Sequence, residues 1–153
     1  MDLVAVTPVF NLYDSRWPIR TVPPAGPPAK FVFAEEGRRM GVAINSLVSH
    51  GCIVSGGRVA GSVLSPGVRV NSFCDIEGSI LLPYVNVGRR SRIRRAIVNE
   101  GVQIPENSEI GFDHDADLRA GYLVTGSGIV VVHAAAEANP APFEEDSAVA
   151  ASA

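Results

Sequence analysis

Five arginines lie within the short segment Gly88–Arg95 and are the side chains best suited to chemistry in this sequence. A guanidinium group binds oxyanions through two parallel hydrogen bonds, so such a cluster is suited to a phosphate or a carboxylate. It is equally consistent with a solvated surface whose arginines pair with nearby carboxylates. The net charge of −3 gives no reason to expect nucleic acid as the partner. The candidate effector or interface residues are Arg89, Arg90, Arg92, Arg94 and Arg95.

The histidines and cysteines offer weaker alternatives. His50 could act as the general base of an acyltransferase, but no histidine lies 17 residues from it, and His114 and His133 are distant in sequence. A zinc site is therefore not predicted. Cys52 and Cys74 are too few for a disulfide framework or a thiolate metal site, and we interpret both as small buried side chains.

A repeat of 17 residues positions all of these groups. Written in rows of 17 from Ser46, the middle of the chain aligns large aliphatic residues in three columns. Within a row, these residues are separated by 5, 6 and 6 positions, which predicts a three-sided coil with one large inward residue on each side. The predicted inward columns are Ile53, Val70, Val87 and Ile104; Val42, Val59, Ile76, Ile93 and Ile110; and Leu47, Leu64, Leu81 and Val98.

A second inward position is expected two residues before each aliphatic residue. Two of these columns are small, as at Gly57 and Ser62, and would fill the space beside the large side chains. The third column, Gly51, Val68, Val85 and Val102, is bulkier without an evident reason. The pattern is that of a hexapeptide-repeat parallel β-helix, in which stacked coils bury one continuous core.

The repeat also predicts which charges face each other, because residues 17 apart lie on adjacent coils about 4.8 Å apart. One column alternates in sign, with Arg92 between Asp75 and Glu109. Such exposed pairs contribute a few tenths of a kcal/mol each and would also disfavour a slipped register. Alternation along the strand means that the five arginines cannot all share one face. The predicted partners of the cluster are Asp75, Glu77, Glu106 and Glu109.

The flanks lie outside the repeat. We assign residues 1–33 to a junction or linker with Tyr13 and Trp17 as packing anchors, residues 34–132 to the β-helix with a terminal capping strand, and residues 133–153 to a disordered tail. Residues 112–121 have the composition of an acidic loop. No apolar run is long enough to span a bilayer and no signal peptide is evident, so we expect a soluble cytoplasmic protein.

Several motifs identify a family. The junction motif Trp17–Thr21 and the later segments resemble, in order, the β-helix region of bacterial glucose-1-phosphate adenylyltransferases (ADP-glucose pyrophosphorylases) over roughly residues 1–132. The later segments are Asn45–Val48, Gly51–Gly56, Ser62–Val68, Leu82–Gly88, Arg92–Arg95 and Ile104–Glu106.

The resemblance implies an all-β fold, a left-handed parallel β-helix after a short helical or linker segment. It implies a non-catalytic regulatory and oligomerisation domain of an enzyme that makes ADP-glucose and pyrophosphate for glycogen synthesis. In that family the catalytic domain uses ATP and magnesium, and this chain shows no Gly-rich nucleotide loop. We therefore expect a fragment without cofactor, inactive alone, which forms a homo-oligomer, contacts a nucleotidyltransferase catalytic domain and binds a phosphorylated sugar. A free-standing hexapeptide acyltransferase and an assembly scaffold remain the alternatives.

Overall fold

The computed structural model describes residues 2–19, 25–32, 34–35 and 39–133, and its strands form three sheets around one core. The first sheet contains β1 (Lys30–Val32), β4 (Ile53–Ser55), β7 (Arg69–Val70), β10 (Asn86–Val87) and β13 (Gln103–Ile104). The second contains β2 (Val42–Ile44), β5 (Arg58–Ala60), β8 (Asp75–Glu77), β11 (Arg92–Arg94) and β14 (Glu109–Ile110). The third contains β3 (Leu47–Val48), β6 (Val63–Leu64), β9 (Ile80–Leu81), β12 (Ala96–Val98), β15 (Leu123–Val124) and β16 (Val130–Val132).

From β1 to β14, successive strands belong to successive sheets, so the chain winds around a three-sided prism. This confirms the predicted parallel β-helix. Each of the strands β2 to β14 contributes an aliphatic side chain to the core, and the column Val59, Ile76, Ile93 is completely buried. Backbone hydrogen bonds join each coil to the next, for example from Ile53 N–H to the Val68 carbonyl at 2.9 Å. Each coil is therefore stabilised mainly by its two neighbours.

The predicted inward columns are wrong by one residue at their first member. In the first sheet Val54 pairs with Val70, so Val54 and not Ile53 begins that column. In the third sheet Val48 pairs with Leu64, so Val48 replaces Leu47. In the second sheet Ala43 replaces the predicted Val42, since it is Ala43 that pairs with Val59.

The error arises at one corner, between Val54 and Val59. The chain uses five residues there, where the equivalent corner of the next coil uses six, from Val70 to Ile76. Gly56 lies at the shortened corner with φ of 68°, a conformation that glycine adopts without a steric penalty. All positions before this corner are consequently shifted by one relative to a strict 17-residue repeat.

The shift by one residue also corrects the bulkier of the three columns that lie two residues before the large aliphatic residues. Its first member is Cys52, which is fully buried, and not the predicted Gly51. The true column is Cys52, Val68, Val85 and Val102, in which every member is an apolar residue of similar size.

The C-terminal end of the stack carries its own cap. Strand β16 extends the third sheet in parallel to β12 and forms an antiparallel hairpin with β15. The preceding segment is not only a loop, as expected for residues 112–121, because it contains the helix α1 (His114–Arg119). Asp113 begins this helix by accepting hydrogen bonds from the N–H groups of Asp115 and Ala116. Residues 134–153, where a disordered tail was expected, lie outside the described residues.

The N-terminal segment has a different character. A 3-10 helix at Asp2–Val4 is followed by turns held by side-chain oxygens, such as the Asp2 carboxylate that accepts from Val9 N–H. Tyr13 and Trp17 were predicted to be packing anchors, but they are 81% and 70% exposed. Trp17 contacts only Phe10 among aromatic rings in the described part of the chain, edge to face at 6.4 Å. Strand β1 lies inside the predicted junction 1–33 and already pairs with β4.

Candidate anion-binding surface

The five predicted arginines occupy one stretch of a single coil and are all exposed. We call them the arginine belt: Arg89, Arg90, Arg92, Arg94 and Arg95. The strand β11 supplies two of them, with Ile93 buried between Arg92 and Arg94. The other three lie at the two corners that flank this strand. The predicted alternation therefore holds, and it leaves all five guanidinium groups on the outer surface.

The predicted charge column is confirmed in register and partly in contact. Arg92 lies opposite both Asp75 and Glu109. Its Nη1 donates to Glu109 Oε1 at 2.8 Å, while Asp75 accepts from Arg58 Nη1 at 2.8 Å. Both pairs are about half exposed, so each contributes little to stability.

Two aromatic rings support the belt, and sequence reasoning missed both. The guanidinium carbon of Arg92 lies 4.3 Å from the centroid of the Phe112 ring, and that of Arg90 lies 5.9 Å from the centroid of the Phe73 ring. Such stacking fixes the plane of a guanidinium group while leaving its N–H groups free to bind an anion. The spacing of 17 between Phe73 and Arg90 was a signal that could have found one contact.

The arginines differ in how fully they are engaged. Arg95 donates from Nη2 to the carbonyl of Ser127 at 2.8 Å. Arg94 lies opposite Glu77 in register, but the two form no ion pair within the described residues. Arg89 likewise forms none with Glu106, its predicted partner, in that part of the chain. The guanidinium donors of Arg89 and Arg94 are therefore not engaged within the described residues.

Two belt arginines occupy backbone positions that usually favour glycine. Arg90 and Arg95 have φ values of 59° and 49°; in the preceding coil the equivalent positions hold Phe73, with φ of 63°, and Gly78. A left-handed conformation costs a non-glycine residue about 1–2 kcal/mol. The fold tolerates this cost at both corners and thereby projects two arginines away from the prism.

The other candidate residues, His50, Cys52 and Cys74, lie in surroundings typical of structural side chains. His50 lies at a corner against Gly26, and its buried Nε2 has no hydrogen-bond partner among the described residues. Cys52 and Cys74 are buried as predicted, and burial raises the pKa of each thiol. Their Sγ atoms donate to the carbonyls of Ser65 and Gly88. Raised pKa values leave little reactive thiolate at neutral pH.

The described residues offer neither a metal site nor a membrane-spanning helix. Within residues 2–19, 25–32, 34–35 and 39–133, no three histidine, cysteine, aspartate or glutamate side chains are grouped so that they could hold a metal ion. The helices found in the same ranges are too short or too polar to cross a membrane.

The fold agrees with what sequence comparison finds. Residues 27–132 match the family described as "GlmU-like, C-terminal hexapeptide". The chain belongs to this family, whose hexapeptide repeats form the left-handed parallel β-helix that the three sheets build here.

Three similar proteins are all named glucose-1-phosphate adenylyltransferase. The chain is 61% identical over 132 residues to a glucose-1-phosphate adenylyltransferase of Koribacter versatilis, and the match covers 86% of this chain and 31% of that protein. It is 55% identical over 134 residues to the enzyme of the same name from Rhodopirellula baltica, with 86% and 30% covered. The corresponding protein of Frankia casuarinae is 50% identical over 133 residues. The chain thus spans about a third of the length of the relatives it matches.

Proposed function

We propose that this chain is the regulatory and oligomerisation part of a glucose-1-phosphate adenylyltransferase. One observation carries the proposal: 86% of the chain aligns at 61% identity with about a third of a protein of that name. In this reading the chemistry, which joins ATP to glucose 1-phosphate with magnesium, belongs to a separate nucleotidyltransferase domain. The chain itself supplies a rigid stack with surfaces for partners and effectors, and it works in the cytoplasm.

The exposed N-terminal segment supports a partner role. Val6 and Val9 are 100% and 98% exposed, and Tyr13 and Trp17 are also largely exposed. Several large exposed apolar side chains within one short segment are a feature of interaction surfaces. We assign this segment to the contact with the nucleotidyltransferase domain and the sheet edges to contacts between copies of the chain.

The arginine belt supports an effector role. Arg89 and Arg94 have unengaged donors in the described structure, and Phe73 and Phe112 orient their neighbours Arg90 and Arg92. Planar guanidinium groups on a fixed scaffold are suited to a phosphate ester. We propose a phosphorylated sugar as the ligand.

A chimaeric enzyme tests the assignment. The aligned segment of this chain would replace the matching segment of the Koribacter versatilis protein, over 132 residues. We expect the chimaera to form ADP-glucose and to keep the oligomeric state of the parent, because the interfaces belong to the exchanged part. A folded chimaera that is inactive or monomeric would contradict the proposal.

The isolated chain provides the complementary test. We expect no pyrophosphate release from ATP and glucose 1-phosphate, with the Koribacter versatilis enzyme as the positive control. Pyrophosphate release by the pure chain would overturn the assignment of the chemistry to another domain.

A further inference from the structure

We propose that two copies of this chain pair through the outer face of the third sheet. Each of the six strands of this sheet contributes one outward aliphatic side chain to that face. We call these residues the outer ladder: Leu47, Val63, Ile80, Ile97, Val131 and Leu123. The pairing rests on the oligomerisation proposed above and assigns a particular face to it.

The outer ladder runs without a break across the whole sheet. Ile80 lies directly beside Val63 on one side and Ile97 on the other. Val131 lies beside both Ile97 and Leu123. Leu123 is 63% exposed, and the other ladder residues are partly exposed. Because neighbouring strands are about 4.8 Å apart, the ladder forms an apolar stripe about 24 Å long.

The other two faces of the same prism show that the fold does not require aliphatic residues at these outward positions. From Arg58 onward, the matching positions of the first and second sheets hold polar or charged residues: Arg58, Arg69, Asp75, Asn86, Arg92, Gln103 and Glu109. In the third sheet, β12 and β16 are apolar at every position. Parallel strands with continuous apolar sequences are typical of sheets that are covered on both faces.

The described part of the chain does not supply such a cover. In it, the strands β6, β9 and β12 make their close backbone contacts with neighbouring strands of their own sheet. The row of residues two positions beyond the ladder is also uncharged, at Ser49, Ser65, Leu82 and Asn99. An identical face can therefore pack against this one without burying an unpaired charge.

Charges at the rims of the face favour a second copy as the partner. Arg95 directly precedes β12 and Glu100 lies two residues after it, so one coil carries a cation at one rim and an anion at the other. Arg95 Nη2 donates to the Ser127 carbonyl at 2.8 Å, which holds the guanidinium group at its rim. Glu100 forms no ion pair within the described residues.

One arrangement of two copies joins these charges. When the faces pack about a two-fold axis parallel to the prism, the strands of the two copies run antiparallel. Each Arg95 then meets Glu100 of the second copy, which gives the two identical contacts of an isologous interface. A two-fold axis along the strands would keep the two Arg95 rims together and could not form these pairs.

The size of the face sets the expected strength of the pairing. The stripe is about 24 Å long and two to three residues wide, which places it at the low end of specific interfaces. We therefore expect the isolated chain to form a reversible dimer, whose fraction rises with protein concentration.

Sedimentation velocity of the full chain over a concentration series tests this expectation. Ile80→Lys places an ammonium group at the centre of the face and should raise the dimer dissociation constant at least about tenfold, because the charge would be buried without a partner. The matched control Ile53→Lys makes the same exchange at an outward position of the first sheet and should leave the constant unchanged. Circular dichroism checks that both variants are folded. A chain that stays monomeric, or a dimer that Ile80→Lys does not weaken, would overturn the pairing.

Charge exchange at the rims provides a second test that leaves the ladder intact. Arg95→Glu and Glu100→Arg each place like charges together at both rims and should each weaken the dimer. Mixing the two variants restores opposite charges at both rims, so the heterodimer should form more readily than either homodimer. An absence of this gain on mixing would refute the two-fold arrangement.

The chimaeric enzyme separates this pairing from the proposed function. If the chimaera keeps the oligomeric state of its parent and Ile80→Lys within it leaves that state unchanged, the proposed function stands and the assignment of this face fails. A folded but monomeric chimaera, with an isolated chain that still dimerises through Ile80, would contradict the proposed function and support the face.

Discussion

Two neighbouring coils that do the same structural task differ by one residue. From Val54 to Val70 the chain takes 16 residues to complete a turn, and from Val70 to Val87 it takes 17. Both turns place one aliphatic residue on each side of the core. The difference teaches that the prism fixes the number of inward side chains, whereas the length of a corner is free to vary when glycine occupies it.

The largest expected effect on stability comes from truncating a buried isoleucine, compared with truncating one that a strict 17-residue repeat would bury. Ile76→Ala removes a completely buried side chain and should lower the free energy of unfolding by about 2–5 kcal/mol. Ile53→Ala, at the position that a strict repeat would bury, should cost less than about 1 kcal/mol, since Ile53 is only partly buried. Urea denaturation of both variants measures the difference. Equal losses would mean that the 17-residue register continues through Ile53.

The buried serines give an intermediate effect. Ser79 Oγ accepts from the N–H of Ala96 and donates to the carbonyl of Glu77, and the side chain is fully buried. Ser79→Ala leaves that N–H without its partner and should cost about 1–3 kcal/mol. Ser46→Ala at the matching, more accessible position of an earlier coil should cost less, because water can replace the lost hydroxyl. Thermal unfolding of the two variants compares them, and a larger loss for Ser46→Ala would contradict this account.

The charge column should contribute least among the contacts between coils. Arg92→Gln and Glu109→Gln should each change stability by about 0.2–1 kcal/mol, and the double-mutant coupling should shrink in high salt. This column of alternating charges begins at Arg58, in the shortened coil. The preceding coil has the uncharged Val42 beside Arg58. A coupling that is unaffected by salt would show that the pair is less exposed than its side chains indicate.

The C-terminal cap adds a pH dependence through the buried carboxyl group of Asp117. Burial raises the pKa of Asp117 above its usual value of 3.8, although the N–H of Gly111 donates to it. The folded state therefore favours the protonated acid, and this contribution is lost as the pH rises through the folded pKa.

Substitution checks this dependence. Asp117→Asn keeps an acceptor oxygen for Gly111 and should flatten the decrease in unfolding free energy above the usual pKa of aspartate. Urea denaturation across a pH series measures the slope. The exposed Asp115→Asn on the same helix is the control and should retain the slope of the unmodified chain.

The candidate site was predictable in its residues but not in its contacts. The arginines stand out by composition, and the 17-residue spacing correctly places Arg92 between Asp75 and Glu109. The stacking on Phe112 and the hydrogen bond from Arg95 to Ser127 were not predictable, because both partners belong to the cap outside the repeat. Tyr13 and Trp17 were assigned to packing by their type alone, and no periodic partner constrained that assignment.

The sequence by itself determined the three-sided stack, because aliphatic residues at near-equal steps can share one core only by winding around it. It also determined the order of the charges along one face. Only the tertiary structure decided which residue of the pair Ile53 and Val54 points inward, since a strand reverses its faces when the corner after it loses one residue. That corner is closed by Gly56 against neighbouring coils, and its length follows from their packing and not from the repeat.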